Sequence, residues 1–463
     1  MLERIFAPAS IDSLFSDAAM LAAMARFETA LARAQAGAGL IPPSAAETIA
    51  RVCHEMGDPA ATDGNPDSVA GGRFDAARLY GAARASGSLA IPFLRALGEQ
   101  VASVDPQAQR FLHLGASHQD LIDSVLSMQC KEAGRRLLDA LERTGAAISR
   151  LADDHRHTLM PGRASMQPVT ASSFGWKAAH WLDPLTRCRR HLRAALLDAS
   201  VLQLGGVSGN RSGLSNDPAL ATQVAQRVAD TLGLLLPPSS FTPARDRAAR
   251  LGTELAIVCG QVGKIGQDLA LMMQSEVGEL SEAPPAARPG DTVPTAQLPA
   301  GALLMKEAAL RAPGLAATLL TALPTEHESG LGGWQSSWWT LRSLFGASAS
   351  AVLAAEDVLT HLQVHADVMK ANLARDNSRI FTEAVAQALT PRLGAAQAWT
   401  LVLELCAEAS ARKLSLRQVL GRDTRISALM NLGELERLFD PATQFVAADP
   451  MIDQLLAAWR SSR

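Results

Sequence analysis

Residues 113–120 read HLGASHQD, which sets a histidine, a hydroxyl, an amide and a carboxylate side by side behind a glycine. A glycine-led turn followed by the apolar face Leu138, Leu141, Ile148 and Leu151 marks the start of a long helix over 121–159. His118 therefore stands at the mouth of that helix. The partial positive charge of a helix N-terminus disfavours an imidazolium, so His118 is expected neutral near pH 7 and able to accept a proton. It is the candidate catalytic base; His113 reads as a structural hydrogen-bonder. A second polar stretch, QLGGVSGNRSG over 203–213, carries Ser208 and Arg211 between glycines that let a ligand approach the backbone closely. It lacks the GxxxxGK[ST] pattern and the strand–GxGxxG–helix context of nucleotide loops. Arg211 offers a planar fork suited to a carboxylate.

The elements that must hold these residues are helices. Met20, Met24, Phe27, Leu31 and Ala34 recur at steps of four and three, which predicts a helix over 15–39. Leu255, Val258, Val262, Ile265, Leu269 and Met272 form a heptad seam within 245–280, the pattern of a bundle helix, and it predicts an oligomer. Further on, 302–311 is compatible with a helix that Pro313 and Gly314 close, an apolar run reaches Leu323, and a long helix is expected over 341–372. Trp334, Trp338 and Trp339 lie within six residues, so this segment should meet another surface, inside the domain or across subunits. Residues 58–72 are rich in Gly, Pro and Asp and read as a surface insertion.

Composition sets the outer limits. The chain has 463 residues, a net charge of −3, scattered Lys and Arg, 4% aromatic residues and a single tyrosine, Tyr80. That argues for a helical protein without a nucleic-acid footprint. No apolar run is long enough to span a bilayer, and MLERIFAPAS lacks a signal-peptide layout. Five cysteines far apart, with no CxxC pair, fit reduced core thiols of a cytoplasmic protein and no metal site.

ALRAPGLAATLL followed by PTEHESGLGGWQSSWWTL resembles the 3-carboxy-cis,cis-muconate cycloisomerase branch of the aspartase/fumarase (adenylosuccinate lyase) superfamily. The resemblance extends to FETALARAQAGAGLIP near the N-terminus, to HLGASHQD beside the family's GATSQD, and to GRASMQPVT beside GRTxLQHATP. It also takes in QLGGVSG beside QFGGASGS. It implies an all-α, three-domain fold with a long central helix bundle: an N-terminal helical domain over 1–112, the bundle over 113–365 and a C-terminal helical domain over 366–463. It further implies a homotetramer with sites shared between subunits, a small carboxylate-bearing substrate, and no metal or organic cofactor. Ser117, Gln119, Gln167, Thr170 and the 205–213 turn, with Ser208, take substrate-binding positions by this resemblance.

Where the family carries SSTMPHKRNP, this chain has GDTVPTAQLP over 290–299, so the loop serine, lysine and asparagine fall on Gly290, Ala296 and Leu298. The histidine after Gln167 is Pro168, and Gln335-Ser336-Ser337 replaces the usual His-Ala-Glu after the tryptophan. Three readings follow: a superfamily enzyme with a changed reaction in which His118, with Arg211 or His327 as further candidates, takes a new role, a non-catalytic homologue that binds or assembles, and an ordinary cycloisomerase.

Overall fold

The computed structural model describes residues 5–57, 76–283, 298–375, 379–445 and 447–462. The expected 58–72 insertion and the 290–297 part of the 290–299 stretch lie outside the described residues. Helices dominate. The elements that matter for the site are α1 (Asp17–Gly37), α2 (Pro43–Gly57), α3 (Ala90–Val104) and α4 (His118–Asp154). A hairpin of β1 (Leu159–Ala164) and β2 (Gln167–Ser173) leads into α5 (Phe174–Ala199) and α6 (Pro218–Leu232). Then come α7 (Asp246–Met272), β3 (Leu280–Ser281), α8 (Ala300–Thr321), α9 (Gly333–His361) and β4 (Gln363–Val364). The C-terminal segment includes α10 (Thr382–Leu393), α11 (Ala395–Arg412) and α12 (Ala448–Ser461).

Contacts divide the chain into two compact units. The first comprises 1–139, 191–260 and 308–350; the second comprises 140–190, 261–307 and 351–463. The core of the first is built on the expected stripe of α1, where Met24, Phe27 and Leu31 are at most 1% exposed, packed with Ile49, Phe93, Leu97, Leu121 and Val224. Glycines let its long helices close up: a Cβ on Gly252 of α7 would stand 2.2 Å from Leu319 of α8 and 3.1 Å from Leu344 of α9. In the second unit a Cβ on Gly145 of α4 would lie 1.9 Å from Trp459 of α12, and the fully buried Arg189 stacks its guanidinium 3.7 Å over the same indole. A separate cluster, with Val385, Leu389, Val402, Leu405 and Leu416, holds the C-terminal helices together.

Several local expectations need correction. The 163–170 stretch, for which no element was expected, lies in a β-hairpin, antiparallel from Leu159↔Ser173 to Ala164↔Gln167, with Ser165 and Met166 at its tip in the left-handed region (φ 49° and 65°). Pro313 does not end a helix. It lies inside α8, because Ala312, Ala316 and Leu319 carry one buried face straight through it, and this burial outweighs the lost main-chain hydrogen bond. The helix expected over 341–372 begins earlier, at Gly333, and stops at His361, where β4 pairs with β3. Of its tryptophans, Trp334 and Trp338 meet edge-to-face at 5.0 Å against the first core, while Trp339 is 57% exposed.

All six residues of the α7 seam are at most 4% exposed within a single chain. The seam is satisfied internally, so it does not by itself require a partner.

Candidate active site

Ser117 and Asp120 open α4 with a reciprocal capping box. The Asp120 N–H donates to Ser117 Oγ at 3.1 Å, and the Ser117 N–H donates to Asp120 Oδ2 at 2.8 Å. Asp120 is fully buried and accepts three more hydrogen bonds: Gln203 Nε2 at 2.8 Å, Gly205 N at 2.9 Å and Gly206 N at 2.8 Å. One carboxylate thus ties the 113–120 turn to the glycine-rich 203–213 loop, two motifs more than eighty residues apart. The glycines allow the approach. Gly115 has φ +74°, and a Cβ there would lie 2.3 Å from the Gly213 carbonyl oxygen.

His118 occupies the first turn of α4 and is exposed, and neither ring nitrogen has a hydrogen-bond partner among the described residues. Its pKa is lowered, first by partial burial and then by the charge of His113. His113, in the left-handed region at φ 57°, presents Nδ1 to Glu28 Oε1 at 2.7 Å, in agreement with its structural reading. Burial pulls the His113 pKa down, but the charge and hydrogen bond of Glu28, the charge of Asp120 and the Ser117 main chain together raise it.

The structure gives the other anticipated residues differing circumstances. Ser117 is half-buried and its oxygen accepts the cap hydrogen bond, while its O–H has no acceptor among the described residues. Gln119 is buried and fully engaged: its amide donates to Asp123 and to the Thr242 carbonyl and accepts from Ser329 Oγ at 2.8 Å. Ser208 is exposed and donates to Asn210 Oδ1 at 2.8 Å. Arg211 turns the Nε–Nη2 edge of its fork onto the Leu204 and Pro237 carbonyls at 3.2 and 2.9 Å, so that edge shapes the loop, and Nη1 has no hydrogen-bond partner among the described residues. Gln167 and Thr170 belong to the second unit. Gln167 is exposed, whereas Thr170 Oγ1 donates to Gln444 Oε1 at 2.9 Å and so pins the hairpin to the C-terminal segment.

Sequence reasoning missed the buried ion pair beneath this site. Arg245 Nη1 meets Asp123 Oδ2 at 2.8 Å, and Trp334 Nε1 donates to Asp123 Oδ1 at 3.0 Å. Arg245 also reaches Ser337 Oγ, so the 335–337 stretch is part of this network. Asp123 and Arg245 stand 122 positions apart and carried no local signal. Asp120 did carry one, since Ser-x-x-Asp before an apolar run is a capping signature.

A lyase family profile matches residues 9–314, and a profile described as the adenylosuccinate lyase C-terminus matches residues 379–455. This chain belongs to the aspartase/fumarase superfamily. Among its relatives is a 3-carboxy-cis,cis-muconate cycloisomerase of Pseudomonas aeruginosa, 37% identical over 99% of this chain and 96% of the relative. A nitrosuccinate lyase of Streptomyces davaonensis is 34% identical over 98% of this chain and 94% of the relative. The crystal structure of the 3-carboxy-cis,cis-muconate lactonizing enzyme from Pseudomonas putida matches with a TM-score of 0.89 at 34% identity, covering 100% and 99% of the two chains. The all-α aspartase/fumarase-like fold expected from the sequence is therefore the fold observed. Among the described residues of this superfamily member, no helix is long and apolar enough to cross a membrane.

Proposed function

We propose that this protein is a lyase or intramolecular lyase acting on a small carboxylate-bearing substrate, with His118 as general base in place of the superfamily's usual loop residues. The observation that carries the reading is the exposed His118 imidazole on the first turn of α4, without a hydrogen-bond partner among the described residues and with its pKa lowered, beside the capped turn and the glycine loop that Asp120 ties together. The first-turn N–H groups of a helix have no partners within it, and they suit the charge that develops on a carboxylate when the adjoining carbon loses its proton. His118 takes that proton. The electron pair left behind passes into the carboxylate and then expels the group on the neighbouring carbon. The reverse course delivers the proton to carbon as a nucleophile adds, and an internal carboxylate as nucleophile gives a lactone.

The relatives support this class without fixing the reaction. At the same 34% identity stand a lactonizing enzyme and a nitrosuccinate lyase, so overall similarity at this level is compatible with different leaving groups on a carboxylate frame. The replaced residues at 290, 296 and 298 and Pro168 favour a changed reaction over ordinary cycloisomerisation. The proposal retains substrate contacts through Ser117, Ser208 and Arg211, and keeps Gln167 as a separate candidate in the second unit; Gln119 and Thr170 are already held by Ser329 and Gln444 and position the turns that carry them. It also retains the three-segment division at 112/113 and 365/366 and a homotetramer with shared sites. Leu310, Ala317 and Leu320 on the outer face of α8 support the assembly; Leu310 is 83% exposed and Leu320 48%.

His118→Gln, assayed against a panel of substituted succinates, muconates and other small polycarboxylates, tests the reading. Turnover should fall by about 10²–10⁴-fold while ligand affinity is largely kept. Unchanged turnover would sink the assignment. Ligand binding with no turnover by the parent protein on any panel member would mark a homologue retained for binding alone.

A further inference from the structure

We propose that Glu28 holds the His113 imidazole protonated, and that this fixed cation keeps the adjoining His118 imidazole unprotonated and ready to take a proton. The inference deepens the assignment of His118 as base and rests on it.

Glu28 lies on the buried face of α1 among Met24, Phe27 and Leu31, with 1% of its side chain exposed. A carboxylate in that position is costly unless a cation or strong donors compensate it. Its partner is His113 Nδ1 at 2.7 Å, and the imidazole is itself only 12% exposed. Water therefore screens the pair poorly.

Burial of the ring, whose Nε2 has no partner among the described residues, opposes a cationic His113, and the carboxylates around it outweigh that cost. Asp120 faces His113 from the first turn of α4 and adds to its stabilisation. From α2, Cys53 faces Glu28, but its thiol is pushed up to about 12 by burial and by that carboxylate, so it stays neutral and contributes no charge. The His113 and His118 rings lie 6.3 Å apart between centroids and within 14° of parallel, with no hydrogen bond between them. The coupling is therefore through the electric field, and no proton passes from one ring to the other. Partial burial lowers the His118 pKa first, and the charge on His113 adds to it in the same direction.

Glu28 is thus a positioning residue for a charge. A purely structural latch between α1 and the 113–117 turn would leave the titration of His118 indifferent to the charge at position 28.

Carbethoxylation by diethylpyrocarbonate reads the difference, because only neutral imidazole reacts. The rate at His118 is followed by peptide mass spectrometry from pH 5 to 8 in the full chain without substrate, each profile normalised to its own alkaline plateau. The parent protein should show a His118 midpoint below that of free histidine. Glu28→Gln and, independently, His113→Asn should move the midpoint upward, and Glu28→Asp, which keeps the charge, should not. A midpoint that stays put in both Glu28→Gln and His113→Asn overturns the proposal. So does a parent midpoint at or above that of free histidine, a result that needs no variant to fold. Because no substrate is present, the labelling shift can appear even if His118→Gln leaves turnover intact. That combination would remove the base assignment and leave the electrostatic one standing.

Discussion

Gly115 and Gly213 meet backbone to backbone, so closely that a Cβ on Gly115 would stand 2.3 Å from the Gly213 carbonyl oxygen. Gly115 also has φ +74°, which L side chains rarely adopt. Gly115→Ala therefore faces a clash with main chain that no side-chain rotation relieves. The expected cost is about 2–4 kcal/mol, seen as a lowered Tm together with loss of ligand binding. A variant with parent-like stability would show that the two turns separate easily.

The Glu28–His113 pair should make stability depend on pH in a defined direction. Because the folded pKa of His113 is raised, the pair contributes fully below the unfolded histidine value of about 6.5, and its contribution is lost as pH rises through the raised value. His118, with a lowered folded pKa, has the opposite sign: what it contributes is present above the unfolded value and lost as pH falls through the lowered one. The Tm difference between the parent and Glu28→Gln should be largest near pH 6 and shrink toward alkaline pH. A difference that widens toward alkaline pH would contradict the assigned sign.

Asp123 is 3% exposed and Arg245 7%, and each is the other's ionic partner. Asp123→Ala would strand the guanidinium and free the Trp334 N–H, at a cost of about 3–5 kcal/mol. Chemical denaturation should show it. Arg245→Met with Asp123→Leu, which removes both charges, should recover much of the loss.

Leu310→Glu with Leu320→Lys tests the outer face of α8. If that face packs against other copies, sedimentation should shift from a tetramer toward smaller species at micromolar concentration, with helix content unchanged. A parent chain that already sediments as a monomer would remove the assembly proposal.

Turnover of 3-carboxy-cis,cis-muconate should be far below the ordinary enzyme range. A lactone-forming kcat of order 10 s⁻¹ would show that the residues at 290, 296 and 298 are dispensable for that reaction.

The sequence by itself determined the family and those long helices whose apolar stripe runs unbroken, α1 and α7. Apolar steps of three and four write a buried stripe directly into the chain, which is why the seam from Leu255 to Met272 and the stripe from Met24 to Leu31 were legible and are buried. The HLGASHQD and QLGGVSG turns were legible as well, because glycine and capping residues act on their immediate neighbours. Tertiary structure alone decided what depends on contact between distant residues. Pro313 remains helical because buried faces on either side hold it there, and the 159–173 segment pairs with itself as a hairpin. The fate of each polar group also belongs to the tertiary structure. Gln119 and Thr170 look free in a motif, yet they are bound to Ser329 and Gln444, 210 and 274 positions away. Among the described residues His118 has no such partner. A hydrogen bond is chosen by whichever donor or acceptor the fold brings within about 3 Å, and residue spacing along the chain carries no record of that choice.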